Sequence, residues 1–388
     1  MADSNCVSDH QGRPLIVIVG MGETGVLTAA NLPDTCDVLG ISTKPCLISG
    51  QEVGTRLVAP HAWAKDYVTD YAQFRRLDKT SILNAKVTGL DPDQRRLALL
   101  LPDGTSRTQH YDVLVIATGI SNGFWRDDQF ALRGEIEAAD RARTRQLAAA
   151  CNFAVIGGGP SAASISANLA AAWPDKRVDW FHPGEQPLSG YHPDTRDAVL
   201  ATIAGLRVNR HAGHRAALTA GHDPGVIASG TVEWLTGQPA TRADAVIWAT
   251  GAATPNTGFL PPSMLDARGY VRVTATLQTP ERPEIFAIGD VAATDPHRSS
   301  ARNWAYRVLA HNIAAYLSNN AAAMRAFEAP EHRWGSVIGL QRNGLTVYGP
   351  QGKPTRFRRW IVRWLLFPLA VRRGIYGGVR RRLPDLPG

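Results

Sequence analysis

A chain of 388 residues, 44% of them hydrophobic, is long enough for two or three domains with buried cores. It has no uninterrupted apolar run of about 18 residues, which argues against a spanning helix, and the polar stretch 1–14, with Ala2 after the initiator, lacks both the apolar core of a signal peptide and a myristoylation pattern. The net charge of +8 is confined to one end: residues 353–388 hold Lys353 and nine arginines against Asp385, leaving 32 basic and 33 acidic residues elsewhere, a balance that argues against a nucleic-acid binder.

In chain order, residues 14–31 read as strand, turn and helix. The β-branched run from Leu15 to Val19 enters Gly20-Met-Gly22-Glu-Thr-Gly25, and Ala-rich helical sequence follows. In such a turn the first glycine reverses the strand, and the second lets backbone N–H groups approach a pyrophosphate. The third position must be small so that helix and strand can pack. One such turn is weak evidence, since a plain βαβ turn looks similar. Asp37 to Ser42 reads as the next strand, and residues 72–83 as a mixed linker. Ala85–Leu90 and Arg96–Leu101 read as antiparallel strands joined by Asp91-Pro-Asp-Gln. Tyr111 onward is a buried-type strand ending in Ala117-Thr118-Gly119.

The pattern then restarts. Phe153 to Ile156 leads into Gly157-Gly-Gly159-Pro160-Ser161-Ala162, Arg177–Phe181 reads as a strand, and Thr231–Leu235 and Ala243–Thr250 end in Ala249-Thr250-Gly251. Each half is thus a nucleotide-binding unit with an inserted strand pair. A short strand ending in Gly289-Asp290 follows, then a helix over about 299–317, and Pro330 and Gly335 break the pattern before the basic tail. Two dinucleotide turns in one chain imply two dinucleotides and electrons passed between them. The four cysteines (Cys6, Cys36, Cys46, Cys151) form no C-x-x-C or C-x-x-x-x-C pair and show no metal spacing, which suits a reducing cytosol and removes the redox dithiol of a flavin disulphide reductase; no metal is expected. Cys46 reads as a lone reactive thiol or, more commonly, a small buried residue.

These motifs, in this order over roughly residues 14–318, resemble the two-dinucleotide-binding-domain flavoproteins. Within them the chain is similar to type II NADH:quinone dehydrogenases and to apoptosis-inducing-factor-like and ferroptosis-suppressor-like oxidoreductases. The resemblance implies an α/β fold of two Rossmann-like, glutathione-reductase-like domains, the second inserted in the first. The FAD-binding domain would take residues 12–120 and 245–318, the NAD(P)-binding domain 121–244, and a C-terminal segment 319–388. It implies FAD on Gly20, Gly22 and Gly25 and NADH or NADPH on Gly157, Gly159, Pro160 and Ser161, with the paired turns Ala117, Thr118, Gly119 and Ala249, Thr250, Gly251 also cofactor-binding. Gly289 and Asp290 would meet the ribityl chain, Val87 the adenine, and Arg56, in Gly54-Thr-Arg-Leu-Val, the flavin or its phosphates. Plainer roles exist for Asp290 as a helix cap and for Arg56 as a surface side chain.

Three positions depart from the pattern. The acid that binds a ribose falls at Ser42 in the first half and at His182 in the second. His182, with Lys176 and Arg177 close in sequence, leaves NADPH open; its plainer role is a loop residue. The Glu that the family often places near the nicotinamide is Ser164, which puts efficient NADH oxidation in doubt. In Ser300-Ala-Arg-Asn-Trp-Ala-Tyr-Arg the quinone-site pattern is not clear. Trp304 and Tyr306 read as stacking platforms or as core.

The tail carries Trp360, Trp364 and Phe367 at spacings of four and three, on one helical face, and Pro368 is expected to end or kink that helix. Such a segment lies in an anionic membrane interface, or it packs on the protein's own domains or across a homodimer. The expectation is an NAD(P)H:quinone-type oxidoreductase, cytoplasmic and peripheral on the inner membrane face, with a quinone-like acceptor and no nucleic acid. A soluble biosynthetic flavoenzyme acting on an aromatic or hydroquinone-like substrate, and an FAD-binding protein with little turnover, are the alternatives.

Overall fold

The computed structural model describes residues 12–123, 126–218, 223–251, 253–294, 296 and 304–380. Two parallel sheets carry the fold. The first joins β1 (Leu15–Val19), β2 (Asp37–Ser42), β3 (Thr80–Asn84), β4 (Val113–Ile116) and a late strand, Ile285–Ala287, which lies beside β4 at one edge. All its pairings are parallel. The second joins β5 (Asn152–Ile156), β6 (Arg177–Phe181), β7 (Asn209–His211), β8 (Ala228–Val232) and β9 (Thr241–Trp248) in the order β7-β6-β5-β9-β8. Only β8 runs antiparallel to its neighbour. Since Ile285–Ala287 completes the first sheet after β5 to β9 have built the second, the second unit is inserted in the first.

The strands are apolar on both faces because both faces are covered. Every residue of β1 and β4 is buried, with one core on each side of the first sheet. Burial of each such large side chain contributes about 1.5–3 kcal/mol. After the glycine turns come α1 (Glu23–Ala29) and, in the second unit, α5 (Pro160–Ala172), whose Ala-rich face packs flat on its sheet. Between them lie α2 (Val53–Val58), α3 (Pro60–Tyr67) and α4 (Arg133–Ala149).

Several expectations need correcting. Residues 72–83 are not all linker: β3 forms an edge strand there, and its half-exposed residues carry no apolar run to announce it. The domain boundary expected between 244 and 245 cuts β9, a full member of the second sheet. The insertion in the first half is a three-stranded meander, Lys86–Asp91, Arg96–Leu100 and Ser106–His110, and in the second half β8 joins the main sheet. The late helix is described from Ala305 to Leu317, so Ser300 to Asn303 of the expected segment lie outside the described residues. Tyr306 is core, Trp304 is partly exposed, and neither borders the cleft described below.

The tail folds back onto the first unit. Phe367 meets Tyr67 edge-on at 5.6 Å, Tyr376 packs on Phe74 at 5.1 Å, and the Arg75 N–H donates to the Gly378 carbonyl at 3.0 Å. Arg372 pairs with Asp66 and Arg380 with Asp78, whose carboxyl the arginine holds below its usual range. Pro368 does not end the helix. From Val362 to Ile375 the chain is wound wide, closing i→i+5 bonds such as Tyr376 N–H to Val371 carbonyl, and the proline sits inside it. The wide turn also breaks the expected single face: Phe367 points inward, while Trp360 and Trp364 are exposed.

Candidate functional site

The two glycine turns are built alike. The Gly20 N–H donates to the Ile41 carbonyl at 2.9 Å, and the Gly157 N–H to the Phe181 carbonyl at 2.8 Å. Ser42 and His182 are therefore equivalent positions, each directly following the residue whose carbonyl the leading glycine bonds. Both leading glycines hold positive φ, +97° at Gly20 and +144° at Gly157. A Cβ would lie 2.5 Å from the Ala117 carbonyl oxygen at Gly20 and 2.0 Å from that of Ala249 at Gly157. The Ala-Thr-Gly strand ends thus lie directly against the turns. Gly25 and the buried Ala162 are small for packing: a Cβ on Gly25 would sit 2.0 Å from the Gly20 carbonyl oxygen.

The middle glycines differ. A Cβ on Gly22 or Gly159 meets no atom within 4 Å and points into open space. That space is one continuous cleft of about 1900 Å³ spanning both units, beyond the roughly 300–1,000 Å³ of single small-molecule sites. Of the cofactor-binding positions expected from the sequence, all border it except Gly25 and Gly157, which pack behind the turns. The open cradles at Gly22 and Gly159, with backbone running past each, fit two pyrophosphates. The linkers between the units cross here as a short ribbon: Ile120 pairs with Pro255, and Thr118 Oγ1 donates to the Asn256 carbonyl at 2.8 Å.

Ser42 Oγ accepts the Lys44 N–H and lies 3.1 Å from the buried Tyr71 hydroxyl. His182 is 1% exposed. Its Nδ1 lies 2.7 Å from the Gly184 carbonyl, which places the proton on Nδ1, while Nε2 has no hydrogen-bond partner among the described residues. Burial pushes its pKa down, helped by Arg210, His214 and His211. Lys176 and Arg177 are not beside it: they start β6, at its far end, where Lys176 lies over the Trp173 ring at 5.0 Å and Arg177 pairs with Asp179 at 2.7 Å. The basic residues near His182 come from the end of β7 and the loop after it.

Arg56 is not a surface side chain. It is buried, stacks on Trp63 at 4.8 Å and pairs with the equally buried Asp140 of α4 at 2.9 Å, which also meets Arg143 at 3.1 Å. This ion cluster ties α2 to the first helix after the crossover. Ser164 has a packing reason. Its Oγ accepts the Gly54 N–H at 3.3 Å, and a Cβ on Gly54 would lie 2.3 Å from the Ser164 carbonyl oxygen. Helices α2 and α5 meet backbone to backbone there, which leaves little room for a longer side chain.

Asp290 lies just beyond the late strand and borders the cleft, and Arg126 pairs with it. Burial opposes the Arg126 charge, but Asp290 and Glu23 raise its pKa. The same loop sends Asp127 to Lys44 and Asp128 to Lys86 at 2.7 and 2.8 Å. Sequence reasoning missed Arg126, and it missed the 333–337 segment, which returns to border the second half of the cleft. Both come from irregular chain with no motif to point at them. Cys36 and Cys46 are buried and Cys151 is exposed.

The sequence matches the pyridine nucleotide-disulphide oxidoreductase family over residues 14–314, and the chain belongs to that family. That family is one of pyridine-nucleotide oxidoreductases, and this chain has no C-x-x-C or C-x-x-x-x-C cysteine pair. It is 27% identical over 273 residues to Fe-regulated protein 8 of Mycosarcoma maydis, a match covering 65% of this chain and 66%, just under two thirds, of that protein. It is 25% identical to the FAD-dependent oxidoreductase FVFD30 of Flammulina velutipes, over 62% of this chain and 73% of that one. In fold it is similar to NDH2 of Plasmodium falciparum in complex with NADH (TM-score 0.68, 14% identity, 94% of this chain and 96% of that one). It is also similar to the sulfide:quinone oxidoreductase of Aquifex aeolicus (TM-score 0.65, 18% identity, 94% and 92%).

Proposed function

We propose that this protein passes electrons from NADH or NADPH to a quinone-like acceptor drawn from a membrane surface on which its tail rests. When bound, FAD supplies the two-electron chemistry between nicotinamide and acceptor. The chain's own residues position and shield. Gly20 and Gly22 seat one dinucleotide, with Asp290 on its ribityl hydroxyls and Ser42 and Val87 at its adenosine end. Gly159, Pro160 and Ser161 seat the other. The ribbon at 120–121 and 254–255 and the Arg56–Asp140 pair fix the two seats relative to each other, so that the reacting rings meet in one orientation.

The observation that carries the acceptor reading is the tail. One side is anchored on the first unit through Phe367 and Tyr376. The other presents Trp360, Trp364, Leu365 and Leu369, between 45% and 66% exposed, with Arg359, Arg363 and Arg373 exposed beside them. Aromatic and aliphatic side chains rimmed by arginines suit an anionic interface. Among the described residues no helix is long and apolar enough to cross a membrane, so the attachment proposed is peripheral.

Deleting the tail would strip Phe74 and Tyr67 of their cover, so point variants give the cleaner test. Changing Trp360, Trp364, Leu365 and Leu369 together to serine is expected to weaken co-sedimentation with anionic vesicles by at least about 100-fold, each lost anchor being worth on the order of 1 kcal/mol or more. Reduction of a water-soluble quinone should be unchanged. A wild-type protein that ignores anionic vesicles yet turns over would favour the soluble biosynthetic reading.

A further inference from the structure

We propose that Arg126 is the cation that grips the pyrophosphate of FAD, an assignment that rests on the FAD reading of the first half. The two cradles differ in charge. The second opens with Pro160 and Ser161. The first opens with Glu23, whose Oε1 is held by Ser49 Oγ and Gln51 Nε2, both at 2.8 Å, and Asp290 borders the same space. A pyrophosphate seated there brings more negative charge beside two carboxylates, and a cation is needed to offset the repulsion. Lys44, Lys86 and Arg56 are engaged by Asp127, Asp128 and Asp140.

Arg126 lies where that cation is required. Its Nη1 pairs with Asp290, and Glu23 acts on its charge. A guanidinium has five N–H donors in a flat fork, so one edge can stay on a carboxylate while the other takes a phosphate oxygen. The chain also makes room for it. A Cβ on Gly50 would fall 2.2 Å from Arg126 Nη2 and 2.5 Å from Nε, so the side chain lies across a bare backbone. Gly50 is outside the positive-φ region, so its lack of a side chain serves this close approach and not a strained turn.

The test is titration of full-length apoprotein with FAD and with riboflavin, which has the same ring and ribityl chain but no pyrophosphate, followed by quenching of flavin fluorescence. R126A is expected to weaken FAD about 10- to 100-fold, to leave riboflavin unchanged and to flatten the salt dependence of FAD binding. R126K should fall between. G50A, which displaces only the end of a flexible side chain, should reproduce the FAD-selective loss in a folded protein. Should R126A fail to fold, R126K and G50A decide by the same criterion. An FAD affinity unchanged in the variants, or an equal loss for riboflavin, overturns the assignment while leaving the FAD site standing. Wild-type apoprotein that binds no FAD overturns both.

Discussion

Replacing Gly159 with leucine is expected to weaken NADH and NADPH binding by at least about 100-fold, while the protein folds normally and keeps its FAD. The expectation comes from what a side chain at that position would meet. Gly159 has an ordinary extended φ of −94°, so leucine brings no backbone strain, and its Cβ touches nothing within 4 Å. The whole side chain enters the space where backbone must approach the phosphates. Gly22 has the same geometry in the first turn, with φ of −71° and no neighbour for a Cβ. Gly22→Leu should therefore lose FAD and leave the second cradle able to bind an adenine dinucleotide. Calorimetric titration with the reduced nicotinamides, together with flavin content after purification, reads both outcomes. Equal loss of both ligands in both variants would mean that the two cradles do not hold separate dinucleotides.

Gly157→Val should fail differently, by unfolding. Valine is β-branched and disfavours φ of +144°, and its Cβ would sit 2.0 Å from the Ala249 carbonyl oxygen, a backbone atom held in the Ala249-Thr250-Gly251 strand end. Neither strain nor clash has a soft neighbour to absorb it, so the cost should reach about 4 kcal/mol or more, a large share of a typical 5–15 kcal/mol stability. Urea unfolding followed by tryptophan fluorescence measures it. A variant within about 1 kcal/mol of wild type would show that the turn yields more readily than its packing implies. The contrast between positions 157 and 159, two residues apart, separates a glycine kept for the fold from one kept for a ligand.

Much of the architecture was legible because it is local. The β-branched run at Leu15–Val19, the apolar run at Phe153–Ile156, the glycine spacings and the two Ala-Thr-Gly ends encode strand and turn within a few residues. What was not legible depends on contacts between distant segments. Thr80–Asn84 is an edge strand whose mixed polarity looks like linker until β2 is placed beside it. Lys176 and Arg177 are near His182 in sequence but sit a strand's length away, whereas Arg210 and His214 come near it through the parallel pairing of β6 and β7. Arg56 is tied to Asp140, 84 positions along the chain, and Arg126 to Asp290, 164 positions along. The tail's helical face was misread because regular 3.6-residue spacing does not hold in the wide turns around Pro368.

The unusual residues now have local explanations. Ser164 belongs to the close contact of α2 with α5, and His182 is a buried ring held by the Gly184 carbonyl. The proposed function therefore rests on seating and orientation, with the phosphate cradles, the crossover ribbon and the buried ion cluster as its parts.

Whether electrons pass from a nicotinamide through FAD to a quinone is read by anaerobic mixing of the purified protein with NADH and, separately, NADPH. The protein should be yellow, with a flavin absorbance near 450 nm, a property of the cofactor, that bleaches with at least one of the two and returns when a quinone is added. A protein that carries FAD but is bleached by neither, or that returns no electrons to a quinone, would contradict that transfer.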